Sequence, residues 1–577
     1  MHIERVPNRN SPPAILLRQS YREDGKVRKR TLANLSKLPD DAIEGLRILL
    51  KGGTAIQSLE SAFDIQRSLP HGHVAAVLGT LKNLGLESLI DSRSSRQQNL
   101  VTAMIVARII DPASKLATAR GFSSETASST LGELLGVEAA DEDQLYEAMD
   151  WLLERQQEIE TGLAAKHLSN GSLILYDVTS TYFEGTTCPL AQYGYSRDKK
   201  KGKLQIIFGL LCNDAGCPIA VEVFEGNIND ASTLTPLLEK VRHRFGIQQV
   251  VLVGDRGVLT SARIEEELKI VPGIDWITAL RVPQIRELVE QEAIQLSLFD
   301  QKDLASIQSP DYPGERLIAC RNPFLAQERA ETREALLQAT QKELDKIVTA
   351  TTRSNRPLRG AEKIGVRVGK VINRYQVAKH FEFKITENSF SYKRNHRAVQ
   401  EEANLDGIYV IRTSVSKSIL EDRETVKAYK SLSQVEQAFR CYKTIDLKVR
   451  PIYHRLANRV RAHVFLCLLA YYVEWHMRQR LAPLLFSDEE WLESSESASV
   501  VVPVKSDTPA KLKAATKRTQ ERWTVQSFRT LLTNLSTIAK NRVQPKLAGV
   551  SVSFDKLTTP SALQQRALDL LGVSLTL

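Results

Sequence analysis

Two hydrophobic periods divide the chain. AILLRQSYRE (14–23) and KVRKRTLANL (26–35) alternate and flank Asp24-Gly25, which reads as a hairpin with a tight turn. Residues 40–165 switch to the helical period. Pro39-Asp40-Asp41 makes a start signal, and Ile43, Leu46, Leu49 and Leu50 recur at helical spacing. His73–Leu89, Gln97–Ile110 and Asp141–Leu163 repeat that pattern.

From residue 172 the texture changes again. SLILYDVTSTYF reads as an apolar run ending in an aspartate, Asp177. LQIIFGLLCN and CPIAVEVFEG read as a strand pair about the turn Asp214-Ala215-Gly216. Leu234–Phe245 is an amphipathic helix, and QQVVLVGDRGVL is an apolar strand ending in an aspartate. A helix at Arg263–Lys269 and the strand DWITALRV follow, so this part predicts a mixed α/β sheet. Residues 283–406 interrupt it with short strands at Phe381–Lys384 and Phe390–Lys393 and a helix over Arg329–Thr349. GIYVIRT reads as a return strand, with helices at 424–443 and 454–482 after it. Residues 487–510 read as a linker, and the remainder as a basic helical tail.

These shifts predict six segments. They are an N-terminal hairpin and helix (1–53), a helical region for DNA or dimer contacts (54–170) and a first core part (171–282). An insertion (283–406), a second core part (407–483) and a linker with a C-terminal helical region (484–577) complete the chain. A length of 577 residues allows that many units at about 100–200 residues per domain. With 42% hydrophobic and 25% charged residues, a disordered or collagen-like chain is excluded. The longest uncharged apolar run, Val464 to Val473, has ten residues, against roughly 20 for a membrane span. No secretory signal is expected from the N-terminal residues.

Cysteines 188, 212, 217, 320, 441 and 467 form no CxxC pair and no zinc-finger spacing, so free thiols in a reducing cytosol are expected. Lysine plus arginine exceed aspartate plus glutamate, 78 against 68, giving a net charge of +10. That suits a polyanion partner without requiring one. The excess is local. Arg353, Arg356, Arg359, Lys363, Arg367, Lys370, Arg374, Lys379 and Lys384 face only Glu362 and Glu382 within 353–384. A second basic cluster spans Arg440–Arg480. Lys26, Arg28 and Arg30 share one strand face, either a phosphate contact or a solvated edge.

Three carboxylates stand out. Asp177 and Asp255 are placed at strand ends, where α/β sheets gather ligands and where aspartates also cap loops. Glu436 is on a helix, sharing a stripe with Tyr429, Leu432, Arg440 and Lys443. Val435, Phe439 and Tyr442 form the neighbouring apolar stripe, which would bury the helix against the sheet. The simpler alternative is an exposed Glu436–Arg440 ion pair. Clustered carboxylates suit Mg²⁺ or Mn²⁺, and two such ions can activate an attacking oxygen and stabilise a leaving one. Gly254-Asp255-Arg256-Gly257 lacks the GxGxxG turn of a dinucleotide cradle.

DVTSTYFEG (177–185), GYSRDKK (194–200), AVEVFEGNIND (220–230), VLVGDRGV (251–258), LDGIYVIRT (405–413) and SQVEQAFRCYK (433–443) occur in an order that resembles bacterial insertion-sequence DDE transposases, of the superfamily named after insertion sequence four. The resemblance covers roughly residues 1–480. It implies an RNase H-like α/β core with a strand-containing insertion before the glutamate helix. It implies that Asp177, Asp255 and Glu436 form the catalytic, metal-binding triad, holding Mg²⁺ (with Mn²⁺ able to substitute) at two ion sites. It also implies hydrolysis at the ends of a DNA element, attack of the freed 3′-OH on target DNA, and a synaptic homodimer acting in the bacterial cytoplasm at the nucleoid. Tyr429, Glu436 and Lys443 match the family's helix motif, whereas Leu432 stands at its arginine position, and Arg440 is one turn beyond Glu436. Asn227 and Asp230 read as a turn. Expected DNA contacts are Tyr429, Arg440, Lys443, Arg353, Arg356, Arg359 and Lys363. The competing readings are an RNase H-like endonuclease without strand transfer and an inactive DNA-binding protein.

Overall fold

A computed structural model of the chain describes residues 1–9, 12–53, 62–200, 202–295, 299, 303–486, 518, 519, 522–546 and 552–576. The predicted hairpin is β2 (Ala14–Glu23) and β3 (Lys26–Asn34), with β1 (His2–Val6) paired to its outer edge. Asp24 (φ 50°) and Gly25 (φ 78°) form its turn, with Glu23 opposite Lys26. β4 (Phe63–Pro70) precedes the helical region and breaks the expected all-helical run. Helix Gly72–Asn83 and helix Arg96–Ile110 follow, and the expected helix 141–163 is two, Glu142–Glu154 and Gln156–His167, with Arg155 between.

The central sheet has eight strands. They are β5 (Ser172–Tyr182), β6 (Gln205–Asn213), β7 (Pro218–Glu225), β8 (Val250–Gly254), β9 (Ile274–Ala279), β10 (Leu304–Ile307), β11 (Arg316–Arg321) and β14 (Ile408–Thr413), in the order β10-β11-β14-β9-β8-β5-β6-β7. β5, β8 and β9 run parallel, and the remaining pairings are antiparallel. The insertion is therefore not wholly detached, because β10 and β11 extend the core sheet beyond β14. Its remainder, with helices Pro323–Thr352 and Ala361–Tyr375 and the hairpin of β12 (Phe381–Ile385) and β13 (Phe390–Arg394), has its own apolar core.

Helix Ala457–Leu481 explains the longest apolar run. It is buried on almost all sides, against β7 and helices Arg96–Ile110 and Glu142–Glu154. Among the described residues no helix is long and apolar enough to cross a membrane. β15 (Ala539–Pro545) and β16 (Phe554–Leu557) return the C-terminal region to β4, so that region is not purely helical. β15, AKNRVQP, buries only Val543 and shows no alternation that would mark a strand. The expected linker at 487–510 lies outside the described residues.

Candidate active site

Two neighbouring parallel strands deliver the first two acids. Tyr176 of β5 is opposite Gly254 of β8, and Asp177 and Asp255 are the next residues. β8 stops there, and the chain turns back so that Asp255 accepts the amides of Gly257 (2.8 Å) and Val258 (2.9 Å). β5 does not stop. β6 keeps pairing with it as far as Tyr182, so Asp177 lies mid-strand rather than at the predicted strand end.

The third acid comes from above the sheet. Val435, Ala438, Phe439 and Tyr442 are buried, and Phe208 of β6 meets Phe439 and Tyr442 at ring-centroid distances of 5.6 and 5.9 Å. Each such aromatic pair contributes about 0.5–1.5 kcal/mol beyond area burial. With that face fixed, Glu436 and Arg440 stay exposed at the rim. The expected single helix 424–443 is broken at Ser431 into Asp422–Lys430 and Leu432–Arg440, and a wider turn continues over Cys441–Ile445. Leu432, at the motif's arginine position, is buried. Tyr429 is half-buried on the preceding helix, where burial and the charges of Asp255, Asp177 and Glu436 push its phenol up to about 12.

Asp177, Asp255 and Glu436 line one cleft of about 440 Å³, together with Thr179, Arg197, Asp198, Arg440, Lys443 and Arg450. Burial, the Asp255 charge and, less strongly, Glu436 raise the Asp177 carboxyl to about 7, against the Val178 amide and Arg197. A hard divalent cation would offset that repulsion, and an all-carboxylate donor set fits Mg²⁺ or Mn²⁺. The acids share an open cleft rather than a closed cage. Among the described residues, donor groups whose atoms all lie within 4.8 Å of one another occur elsewhere.

Sequence reasoning did not assign Asp230, Arg197 or Asp198 to the site. Asp230, expected as a plain turn residue, pairs with Arg197. Its carboxyl is raised by burial and by Asp255, and Arg197 opposes the shift. A Cβ built on Gly257 would lie 3.1 Å from an Asp255 oxygen and 3.4 Å from an Asp230 oxygen, so the two carboxylates flank the same glycine. Asp198 accepts ion pairs from Lys443 (3.3 Å) and Arg450 (3.0 Å). Arg197 and Asp198 were already in view within GYSRDKK, but nothing in their spacing indicated these partners. Lys443 is turned inward, donating to Thr179 Oγ1 at 2.7 Å and the Ser180 carbonyl at 2.5 Å, and burial lowers its pKa.

The basic clusters separate on inspection. Arg478 pairs with Asp446 and Glu474, Arg480 donates to the Leu571 carbonyl, and Arg459 pairs with Asp150, so much of the 440–480 excess is used internally. Arg353, Arg356, Arg359 and Lys363 are exposed, although Arg359 also ties the Thr351 and Asn388 carbonyls together. On helix Ala361–Tyr375, Lys363, Arg367, Lys370 and Arg374 form one exposed stripe opposite buried Ile364 and Val368. The insertion's basic stretch is therefore a surface feature, and the acidic cleft lies on a separate part of the fold.

The chain matches the family model of the transposase DDE domain over residues 169–473, a span that includes both strands and the glutamate helix. The chain belongs to the insertion-sequence DDE transposases, and residues 3–60 match the N-terminal domain of IS1634 family transposases. No curated protein matches the chain. Among solved structures, one similar chain is in the cryo-EM structure of a piggyBac transposase synaptic complex with hairpin DNA. It is 9% identical, with a TM-score of 0.25, covering 78% of this chain and 85% of that one, too slight a likeness to argue from.

Proposed function

We propose that Asp177, Asp255 and Glu436 are the catalytic and metal-binding residues of a DNA transposase that hydrolyses phosphodiesters at insertion-sequence ends and transfers the freed 3′-OH into target DNA. The observation that carries this reading is the adjacency of Asp177 and Asp255 on paired strands in the cleft that Glu436 also lines. Bound there, Mg²⁺ or Mn²⁺, two ions in this reading, would polarise the attacking oxygen and neutralise the leaving one. Asp255 is held by two amides, which fixes its orientation. Arg440 at the rim suits a phosphate flanking the cut, and Tyr429 beside the acids suits the end nucleotide. Lys443, anchored on β5, fixes the turn after the glutamate helix against that strand.

The strand order β7-β6-β5-β8-β9, an antiparallel meander followed by two parallel strands, supports an RNase H-like core. The partners in this reading are double-stranded DNA, at element ends and target, and a second copy of the chain in a synaptic homodimer within the bacterial cytoplasm. The exposed insertion residues Arg353, Arg356, Arg359 and Lys363 supply phosphate contacts away from the cut.

The test is cleavage and joining of a labelled element-end duplex with Mg²⁺, Mn²⁺ or EDTA, by the native chain and Glu436→Gln. Metal-dependent nicking and joining are expected, with both reduced at least about 10²-fold in the variant while DNA binding survives. Nicking without joining would favour an endonuclease. Undiminished chemistry in Glu436→Gln would overturn the triad.

A further inference from the structure

At the turn between β6 and β7, three residues far apart in sequence converge. His167 ends helix Gln156–His167, Cys217 closes the turn between β6 and β7, and His476 projects from helix Ala457–Leu481. One donor atom from each lies within 4.8 Å of the other two, and Cys217 Sγ is 3.9 Å from His476 Nε2. In a tetrahedral zinc site, bonds of about 2.0–2.3 Å put neighbouring donors about 3.3–3.6 Å apart. Closing the group therefore needs donor shifts on the order of 1 Å, and ligation through His167 Nε2 would replace its 2.9 Å hydrogen bond with the Tyr472 hydroxyl.

The surroundings suit a softer cation than the acidic cleft does. Cys217 is fully buried, and the two histidines are half-buried. Tyr472 and Trp475 pack on the His476 ring at centroid distances of 4.7 and 4.8 Å. Burial holds both imidazoles below their ordinary pKa, His476 at about 4, so at neutral pH they offer lone pairs. No carboxylate belongs to this group, and the nearby charges acting on the histidines are Lys166 and Arg480.

We propose that His167, Cys217 and His476 form a binding site for one zinc ion, with water in the fourth position. Binding replaces the Cys217 thiol proton with a sulfur–zinc bond and releases that proton to solvent. The ion would join the helical region, the β6–β7 hairpin and the long helix that follows the glutamate helix. The hairpin turn already abuts the glutamate helix, because a Cβ on Gly216 would lie 2.6 Å from Gln434 Oε1. The site is thus a cross-link at the β6–β7 turn, distinct from the acidic cleft, whose lining includes none of its three residues.

The test is Co²⁺ titration of the chelator-stripped full chain, carried in an Asp177→Asn, Asp255→Asn background so that the acidic cleft does not contribute. One Co²⁺ per chain with a thiolate charge-transfer band and tetrahedral visible absorption is expected, with displacement by Zn²⁺. Cys217→Ser should abolish the charge-transfer band, and His476→Gln should weaken Zn²⁺ binding at least about tenfold. Both should melt with the parent in EDTA, and Zn²⁺ should raise the melting temperature of the parent more than that of either variant. If Cys217→Ser does not fold, His476→Gln and the zinc-dependent melting shift carry the test. A chain that shows no charge-transfer band, or a band and a zinc shift unchanged by these substitutions, overturns the proposal.

Discussion

Asp177 and Asp255 are the first residues beyond the paired positions Tyr176 and Gly254 of two parallel strands. Burial of Asp177, with the Asp255 charge beside it, has a measurable consequence. The folded chain holds the Asp177 proton with a pKa of about 7, above the ordinary 3.8. A carboxyl raised on folding contributes stability below its unfolded pKa, and that contribution is lost as pH rises towards 7. Asp177→Asn should therefore raise the melting temperature at pH 8 in EDTA and have little effect near pH 4. For a cooperative chain of this length, shifts should follow about 1 °C per kcal/mol. Mg²⁺ should stabilise the native chain more at pH 8 than at pH 5.5 and lose this effect in the variant. Thermal melts across pH, with and without Mg²⁺, check both.

Arg197 and Asp230 supply a second prediction. The pair borders Asp255, so Arg197→Ala leaves a carboxylate unmatched beside the triad. Metal-dependent nicking should fall at least about tenfold. Adding Asp230→Asn should recover part of that loss, a coupling of about 0.5–3 kcal/mol in the double-mutant cycle. Strictly additive losses in nicking rate would show that the pair does not act as a unit.

The sequence reveals the parts of this site that depend on local pattern. The apolar runs before Asp177 and Asp255 become β5 and β8 because strands covered on both faces read as continuous hydrophobic stretches. The stripe Val435, Phe439, Tyr442 marks the buried face of the glutamate helix for the same reason. Partners fixed by tertiary distance leave no such trace. Arg197 meets Asp230 across 33 residues, and Lys443 meets Thr179 across 264. Arg459, Arg478 and Arg480 count as surface charge in a linear tally, yet the buried helix that carries them turns them to internal acceptors. The cysteine spacing likewise hides Cys217 beside two histidines, since each belongs to a different element.

The insertion helix carries a prediction about binding rather than chemistry. Lys363, Arg367, Lys370 and Arg374 are exposed on one stripe, and the helix is held by Ile364 and Val368 on its other side. Changing all four to glutamine should leave the melting temperature within a few degrees. For every phosphate no longer neutralised, the dependence of log affinity on log salt should flatten by about 0.9, up to roughly 3–4 in total. Fluorescence anisotropy with a labelled duplex at several salt concentrations measures this. An unchanged slope would remove the helix from the DNA surface.

Gly216 links the β6–β7 turn to the catalytic helix most directly. Its φ of 79° lies in the left-handed region, and an added methyl would meet Gln434 Oε1 at 2.6 Å and Gln434 Cβ at 2.8 Å. Gly216→Ala therefore combines backbone strain with a collision at Gln434, two residues before Glu436. Strain of this kind costs about 1–3 kcal/mol. Gly171, also at positive φ (86°) but with no atom within 4 Å of its Cβ position, is the control for strain alone. Gly216→Ala should lower both the melting temperature and the metal-dependent nicking rate, because the helix must shift to admit the methyl. Gly171→Ala should lower the melting temperature and leave nicking unchanged. Equal nicking rates in the two variants, measured below both melting transitions, would show that contact between the turn and the helix does not position Glu436.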